Sequence, residues 1–183
     1  MRLPPPLKTL AVALPFGIAA FGCIYGKLTI PLPGTQSISD PRELFVTVGS
    51  AITGPLGALL IGFLAGVYDP VPAAIPATIA MHIAGGLWMG LSYSAAYRKI
   101  KGWPLILAWM LLILVYYSAF LIPILVMVPL IIPNLFTTFY ESATPVAAFQ
   151  LMYRNSVPEI VFTSLTTAVV MALLPPRYRA PIW

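Results

Sequence analysis

The sequence predicts an all-α integral membrane protein that forms a single domain over residues 1–183. Three observations predict this class. Hydrophobic residues make up 60% of the chain and charged residues only 8%, whereas soluble domains carry about 25% charged residues. The mean hydropathy is +0.93. The apolar residues are also gathered into runs long enough to cross a bilayer, so we expect lipid to replace water as the main solvent.

Polar segments divide the chain into apolar runs and two loops. The first run follows Arg2 and Lys8 and continues without a small-residue cleavage site, which favours a retained helix over a signal peptide. The first loop is rich in turn-forming residues. The runs cover residues 7–30, 44–68, 71–97, 103–132 and 158–174, and the loops cover residues 31–43 and 133–157.

The second run decides the number of membrane segments. A single helix there gives five segments, whereas a hinge at Gly54-Pro55 gives six, with the second and third short. Lys and Arg near segment ends favour the cytoplasm, and six segments fit this rule better than five in either orientation. We therefore expect six segments and both termini in the cytoplasm. Seven basic residues then lie inside, Arg2, Lys8, Arg98, Lys99, Lys101, Arg177 and Arg179, and three lie outside, Lys27, Arg42 and Arg154.

In this topology all five acidic residues fall on or near the outer face. Acidic groups and arginines that enter the membrane from one side can form the rim of a site for a small polar solute. The alternative is a set of interfacial caps and ion pairs that contribute under about 1 kcal/mol each. The candidate binding residues are Asp40, Arg42, Glu43, Asp69, His82, Tyr140, Glu141, Arg154, Asn155 and Glu159.

His82 is the only histidine and lies inside the third run. An ionisable group within a membrane is costly and marks a functional site by default. Three roles remain open for it: a structural hydrogen bond, a contact with a solute, or a ligand to a haem or pigment metal. The single cysteine, Cys23, excludes an intrachain disulfide and a multi-cysteine metal site. We expect no other metal and no cofactor.

Small residues recur at a spacing of four, which places them on one helix face and lets helices approach closely in lipid. Such faces serve either packing within the chain or docking of another membrane subunit. The candidate docking residues are Ala13, Gly17, Gly22, Gly26, Gly86 and Gly90.

Several classes of function are disfavoured by the sequence. It contains no Gly-x-Ser-x-Gly, no Walker loop, no His-Glu-x-x-His and no paired acids on one span, so we do not expect an enzyme. Nucleic acid is an unlikely partner because the basic residues sit at segment ends instead of forming a patch interleaved with aromatic residues. The expected partners are the lipid bilayer and other membrane subunits.

The arrangement over residues 10–100 resembles the substrate-binding S component of energy-coupling-factor transporters. The features that carry the resemblance are the first helix and polar loop, the short segment with Gly-Pro-Leu-Gly-Ala at 54–58, Gly-Val-Tyr-Asp at 66–69, and Tyr-Arg-Lys at 97–99. The resemblance implies six helices, an outward-facing solute pocket and docking of the first helix on a coupling subunit. The stretch from Asp40 to Leu44, followed by Gly-Pro, is also similar to the membrane sensor region of some bacterial histidine kinases.

Three hypotheses of function follow for this multi-pass protein, which we expect in the bacterial inner (cytoplasmic) membrane. The first is a solute-binding subunit that takes up a small polar nutrient with an ATP-driven partner. The second is an accessory or assembly subunit of a large membrane complex, with or without pigment or haem. The third is a membrane sensor module.

Overall fold

A computed structural model describes residues 4–35, 37–131 and 144–183. Within these ranges, five helices are long and apolar enough to cross a membrane. The chain is therefore an all-α, multi-pass membrane protein, as predicted. The helices are α1 (Pro5–Tyr25), α2 (Arg42–Gly66), α3 (Ile75–Lys99), α4 (Trp103–Val115), α5 (Ile122–Ile131), α6 (Pro145–Leu173) and the short α7 (Pro176–Arg179).

Short elements complete the chain. A two-stranded antiparallel ladder, β1 (Ile30–Pro31) and β2 (Ile38–Ser39), lies inside the predicted first loop. A 3₁₀ turn, Pro72–Ala74, leads into α3, and a π-helical turn, Tyr116–Leu121, joins α4 to α5. Together, α4, this turn and α5 contain one apolar helical stretch, Trp103–Val128, that is long enough to cross a membrane.

Helix α6 begins well before the predicted last segment. Residues 145–157 were expected in a loop, but they are helical and continue through Pro158. Thr144 caps the helix by accepting a hydrogen bond from the backbone N–H of Ala147 at 3.3 Å, and Pro145 occupies the first turn, where no N–H is needed. Polar residues lower the hydropathy of this stretch as they would in a loop. Here they include Arg154 and Asn155, which lie exposed on the helix surface.

The course of α2 is interrupted at Gly54, whose φ of 68° and ψ of −163° are not helical. A continuous helix would separate Arg42 from Ala65 by about 34 Å at ~1.5 Å per residue. Instead, Arg42 Nη1 donates a hydrogen bond to the carbonyl oxygen of Ala65 at 3.0 Å. The chain direction therefore reverses within α2.

The two halves of α2 form the centre of the bundle, between α1 and α3. Of the five long helices, α2 is the most enclosed, because 67% of the residues in its apolar stretch are buried. Close packing depends on glycine: a methyl group on Gly62 would lie 2.7 Å from the backbone of Ile83 in α3. A methyl group on Gly86 would lie 2.9 Å from Ser50 Oγ and 3.3 Å from Ala58 Cβ, one in each half of α2. Both halves of α2 thus contact the same face of α3.

Candidate functional site

The start of α2 holds two of the predicted site residues in direct contact. Asp40 Oδ2 lies 2.7 Å from Arg42 Nη2, and Asp40 Oδ1 accepts a hydrogen bond from the backbone N–H of Arg42 at 2.9 Å. Burial raises the pKa of Asp40 above its ordinary value, and the neighbouring guanidinium acts in the opposite direction. Because Arg42 also bonds Ala65, its side chain joins this ion pair to the far end of α2.

Glu43 and His82 form a second pair, completely enclosed between α2 and α3. Glu43 Oε1 lies 2.9 Å from His82 Nε2, and the residues are 3% and 0% exposed. The other carboxyl oxygen, Oε2, accepts a hydrogen bond from the Tyr116 hydroxyl at 2.5 Å. The remaining ring nitrogen, Nδ1, lies 2.6 Å from the carbonyl oxygen of Thr78.

These contacts fix the number of protons that the pair holds. A carbonyl oxygen only accepts, so Nδ1 carries a proton that it donates to Thr78. The contact between Nε2 and Glu43 then also needs a proton, held either by the imidazole or by the carboxyl group. In both cases the Glu43–His82 pair has no net charge, which lowers the cost of its burial.

A cavity of about 210 Å³ lies against these groups. Glu159 of α6 contributes another wall, and its Oε1 accepts a hydrogen bond from the backbone N–H of Asp40 at 3.2 Å. A second cavity of about 360 Å³ shares Ile38, Met152, Ser156 and Glu159 with the first. The first cavity is lined by Ile38, Asp40, Arg42, Glu43, Met81, Tyr117, Leu121, Ile122, Leu125, Met152, Ser156 and Glu159.

The structure brings only part of the predicted set together. Asp40, Arg42, Glu43 and Glu159 line the first cavity, His82 lies behind Glu43, and Asn155 lines the second cavity.

Two other predicted residues, Asp69 and Arg154, lie apart from the first cavity. Asp69 accepts a hydrogen bond from the Thr78 hydroxyl at 3.2 Å and another from the backbone N–H of Val71 at 2.8 Å. Arg154 is exposed and lines neither cavity. Tyr140 and Glu141 lie outside the described residues.

The sequence analysis missed two tyrosines. Tyr116 bonds Glu43, and Tyr117 lines the cavity while its hydroxyl donates to Thr163 Oγ1 at 3.2 Å. Both lie in the π-helical turn, a local widening that is frequent at functional sites. A signal was present, because adjacent tyrosines interrupt the most hydrophobic run and a buried hydroxyl needs a partner.

A metal role for His82 does not fit this arrangement. Both ring nitrogens are engaged and the side chain is fully buried, so a haem or pigment metal would have to displace Glu43 or Thr78. Among the described residues, no group of three or more His, Cys, Asp or Glu side chains is placed to hold a metal ion.

Most of the predicted docking residues are used inside the chain. Ala13 is 0% exposed, and a methyl group on Gly17 would lie 2.6 Å from Leu64 Cδ1. Gly86 and Gly90 face α2 in the same way. Gly22 and Gly26 are exposed, and a methyl group on Gly22 would meet nothing within 4 Å in the part of the chain that the structure describes. Gly22 therefore lies on an open face of α1, whereas a methyl group on Gly26, the residue that caps the end of α1, would lie 2.9 Å from the carbonyl oxygen of Gly22.

The chain was compared with protein families, with curated proteins and with solved structures. No family model, curated protein or solved structure matches it. The function is therefore argued from the residues of the chain itself, and chiefly from the cavity beside the two buried pairs.

Proposed function

We propose that this protein is a membrane-embedded solute-binding subunit that holds a small polar solute in the cavity between α2, α5 and α6. The observation that carries the proposal is the convergence of charged residues, distant in sequence, on one cavity. Asp40, Arg42 and Glu43 come from the start of α2, and Glu159 comes from α6. Charged groups at membrane depth are costly to bury, so a chain that collects them around a cavity is expected to use them.

The cavity is proposed to open to the outer side of the inner membrane, in a six-segment topology with both termini cytoplasmic. Two observations support this arrangement. The chain reverses within α2, between Arg42 and Ala65, so its halves count as two short segments. The resulting topology also leaves the Lys and Arg residues mainly on the cytoplasmic side.

Cysteine accessibility on intact cells tests this topology. In a Cys23→Ser background, Ser37→Cys should react with a membrane-impermeant thiol reagent, because Ser37 lines the second cavity, on the side proposed to face outward. Ile100→Cys, next to the basic end of α3, should react only after the cells are opened. Labelling of position 100 from outside would refute the orientation.

Uptake is proposed to depend on an ATP-driven partner, because the sequence contains no nucleotide-binding loop. The resemblance to S components supports solute binding by this chain and ATP hydrolysis by a partner. Gly22, exposed on α1, and Gly26, exposed directly after its end, offer a surface on which another membrane helix can pack closely. An accessory or assembly subunit remains the alternative function, and the same open face supports it.

The solute-binding proposal is tested by filling the cavity. Ser156 lines both cavities, so Ser156→Trp should exclude the solute. Val157→Trp is the matched control, because Val157 is the next residue on α6, 52% exposed, and lines neither cavity. Wild type and both variants are purified in mild detergent, and the bound small molecules are identified by mass spectrometry.

A small molecule enriched with wild type and Val157→Trp but absent from Ser156→Trp supports solute capture. Equal thermal unfolding temperatures of the two variants establish that the cavity, and not the fold, was lost. The proposal fails if Ser156→Trp retains the same small molecules as wild type, or if only partner proteins co-purify.

A further inference from the structure

The charges around the cavity do not balance. Arg42 is paired with Asp40, and the Glu43–His82 pair is neutral as a unit. Glu159 has one hydrogen-bond partner among the described residues, the backbone N–H of Asp40, and its Oε2 atom has none. The cavity wall thus carries one carboxyl group whose ionised form has no compensating cation among the described residues.

The guanidinium of Arg42, which lines the same wall, is paired elsewhere. Arg42 is only 7% exposed, and its Nε atom is buried without a hydrogen-bond partner in the described part of the chain. The other two nitrogens of the guanidinium are used by Asp40 and Ala65. The guanidinium is therefore committed to groups of the protein, and its Nε atom is covered by neighbouring atoms and out of reach of a ligand in the cavity.

The rest of the wall suits an organic molecule better than a bare metal ion. Met81, Leu121, Ile122 and Met152 present apolar and thioether surfaces, and Tyr117 presents an aromatic ring. Hard cations require about six or more oxygen ligands or retained waters, which these side chains do not supply. Apolar walls with a few placed polar groups are typical of sites for small organic ligands.

We infer that the cavity binds a small organic cation, an amine or amidine whose N–H groups pair with Glu159. This inference rests on the proposed function and adds the chemical class of the solute. A charge-assisted hydrogen bond to Glu159 would make the positive charge the main determinant of affinity. Neutral and anionic molecules of the same shape would leave the carboxylate uncompensated.

Three matched probes test the charge requirement: tyramine, tyrosol and 4-hydroxyphenylacetate. They share a phenol ring and differ in a cationic, neutral or anionic end group. Binding is measured by isothermal titration of the full chain in detergent. Tyramine should bind at least tenfold more tightly than tyrosol, and 4-hydroxyphenylacetate more weakly than either.

Glu159→Gln should reduce the tyramine-to-tyrosol ratio to near one, while its amide oxygen still accepts the Asp40 N–H bond. Gln150→Lys is the control, because it changes the net charge by the same amount at an exposed position of α6 outside the cavity. The control should retain the preference for tyramine. A ratio below tenfold in the wild type, or one that persists in Glu159→Gln, overturns the inference.

The outcomes separate this inference from the proposed function. If tyrosol or 4-hydroxyphenylacetate binds as tightly as tyramine and Ser156→Trp abolishes that binding, the cavity is a solute site but not a cation site. If tyramine does not bind and Ser156→Trp retains the small molecules of the wild type, both proposals are overturned.

Discussion

Replacement of Gly54 by alanine tests how the reversal within α2 is held. Gly54 has φ 68° and ψ −163°, and Gly102, before α4, has φ 65° and ψ −143°. This backbone region is essentially restricted to glycine, and an L-residue held there costs about 1–3 kcal/mol. The two glycines therefore form a matched pair with nearly the same conformational strain upon substitution.

The surroundings of the two glycines differ. A methyl group on Gly102 would meet nothing within 4 Å in the described part of the chain, whereas one on Gly54 would collide with the indole of Trp183. The backbone beside Trp183 is held, because the Ile182 N–H donates to the carbonyl oxygen of Ile52 at 3.0 Å, so the added methyl group must displace the indole or break this bond. Overpacking of this kind costs about 1–3 kcal/mol more.

We therefore expect Gly102→Ala to lower the free energy of unfolding by about 1–3 kcal/mol and Gly54→Ala by about 2–6 kcal/mol. Denaturant unfolding in mixed micelles measures both. In a double-mutant cycle, Trp183→Ala should remove the steric part and leave Gly54→Ala with only the strain. The reasoning is refuted if Gly54→Ala costs no more than Gly102→Ala, or if its cost is independent of Trp183.

Two further predictions concern unfolding stability, measured in the same way. Glu43→Gln should cost under about 1 kcal/mol, because the amide can donate to His82 Nε2 and accept from Tyr116. His82→Ala should cost about 3–5 kcal/mol, because it leaves the buried Glu43 Oε1 without its partner; equal costs would contradict this account of the pair. Gly62→Ala should destabilise by about 1–3 kcal/mol because it forces α2 and α3 apart, whereas Gly22→Ala should stay within about 0.5 kcal/mol of wild type, and a large loss at Gly22 would show that this face packs within the chain.

The helical membrane fold could be predicted because hydropathy and charge are properties of composition and local pattern. At Gly54, where the sequence predicts a hinge, the backbone of α2 is not helical. The start of α6 was missed. Exposed polar residues such as Arg154 lower the local hydropathy as a loop would, and only the cap at Thr144 marks the helix start.

The site was predictable where charge itself is informative. Glu43 and Glu159 stood out as acidic groups in an apolar chain, and both line the cavity. Their partners were not predictable in the same way, because contact between Glu43 and Tyr116 depends on how α2 packs against the π-helical turn. Charge can also mislead: Arg154 was predicted as a binding residue because it is charged, but its side chain is exposed on α6.

The reversal within α2 and the cavity share one residue, Arg42, which links their stabilities. Its guanidinium bonds Asp40 at the cavity wall and the Ala65 carbonyl at the far end of α2, so the cavity is complete only while the two halves of α2 lie together. If strain in Gly54→Ala leaves the two halves of α2 together in only about one molecule in ten, the apparent affinity for tyramine falls about tenfold. Gly102→Ala carries similar strain away from α2 and should leave the affinity unchanged, as titration calorimetry would establish. Unchanged affinity in Gly54→Ala, together with the expected loss of stability, would show that the reversal and the cavity are independent.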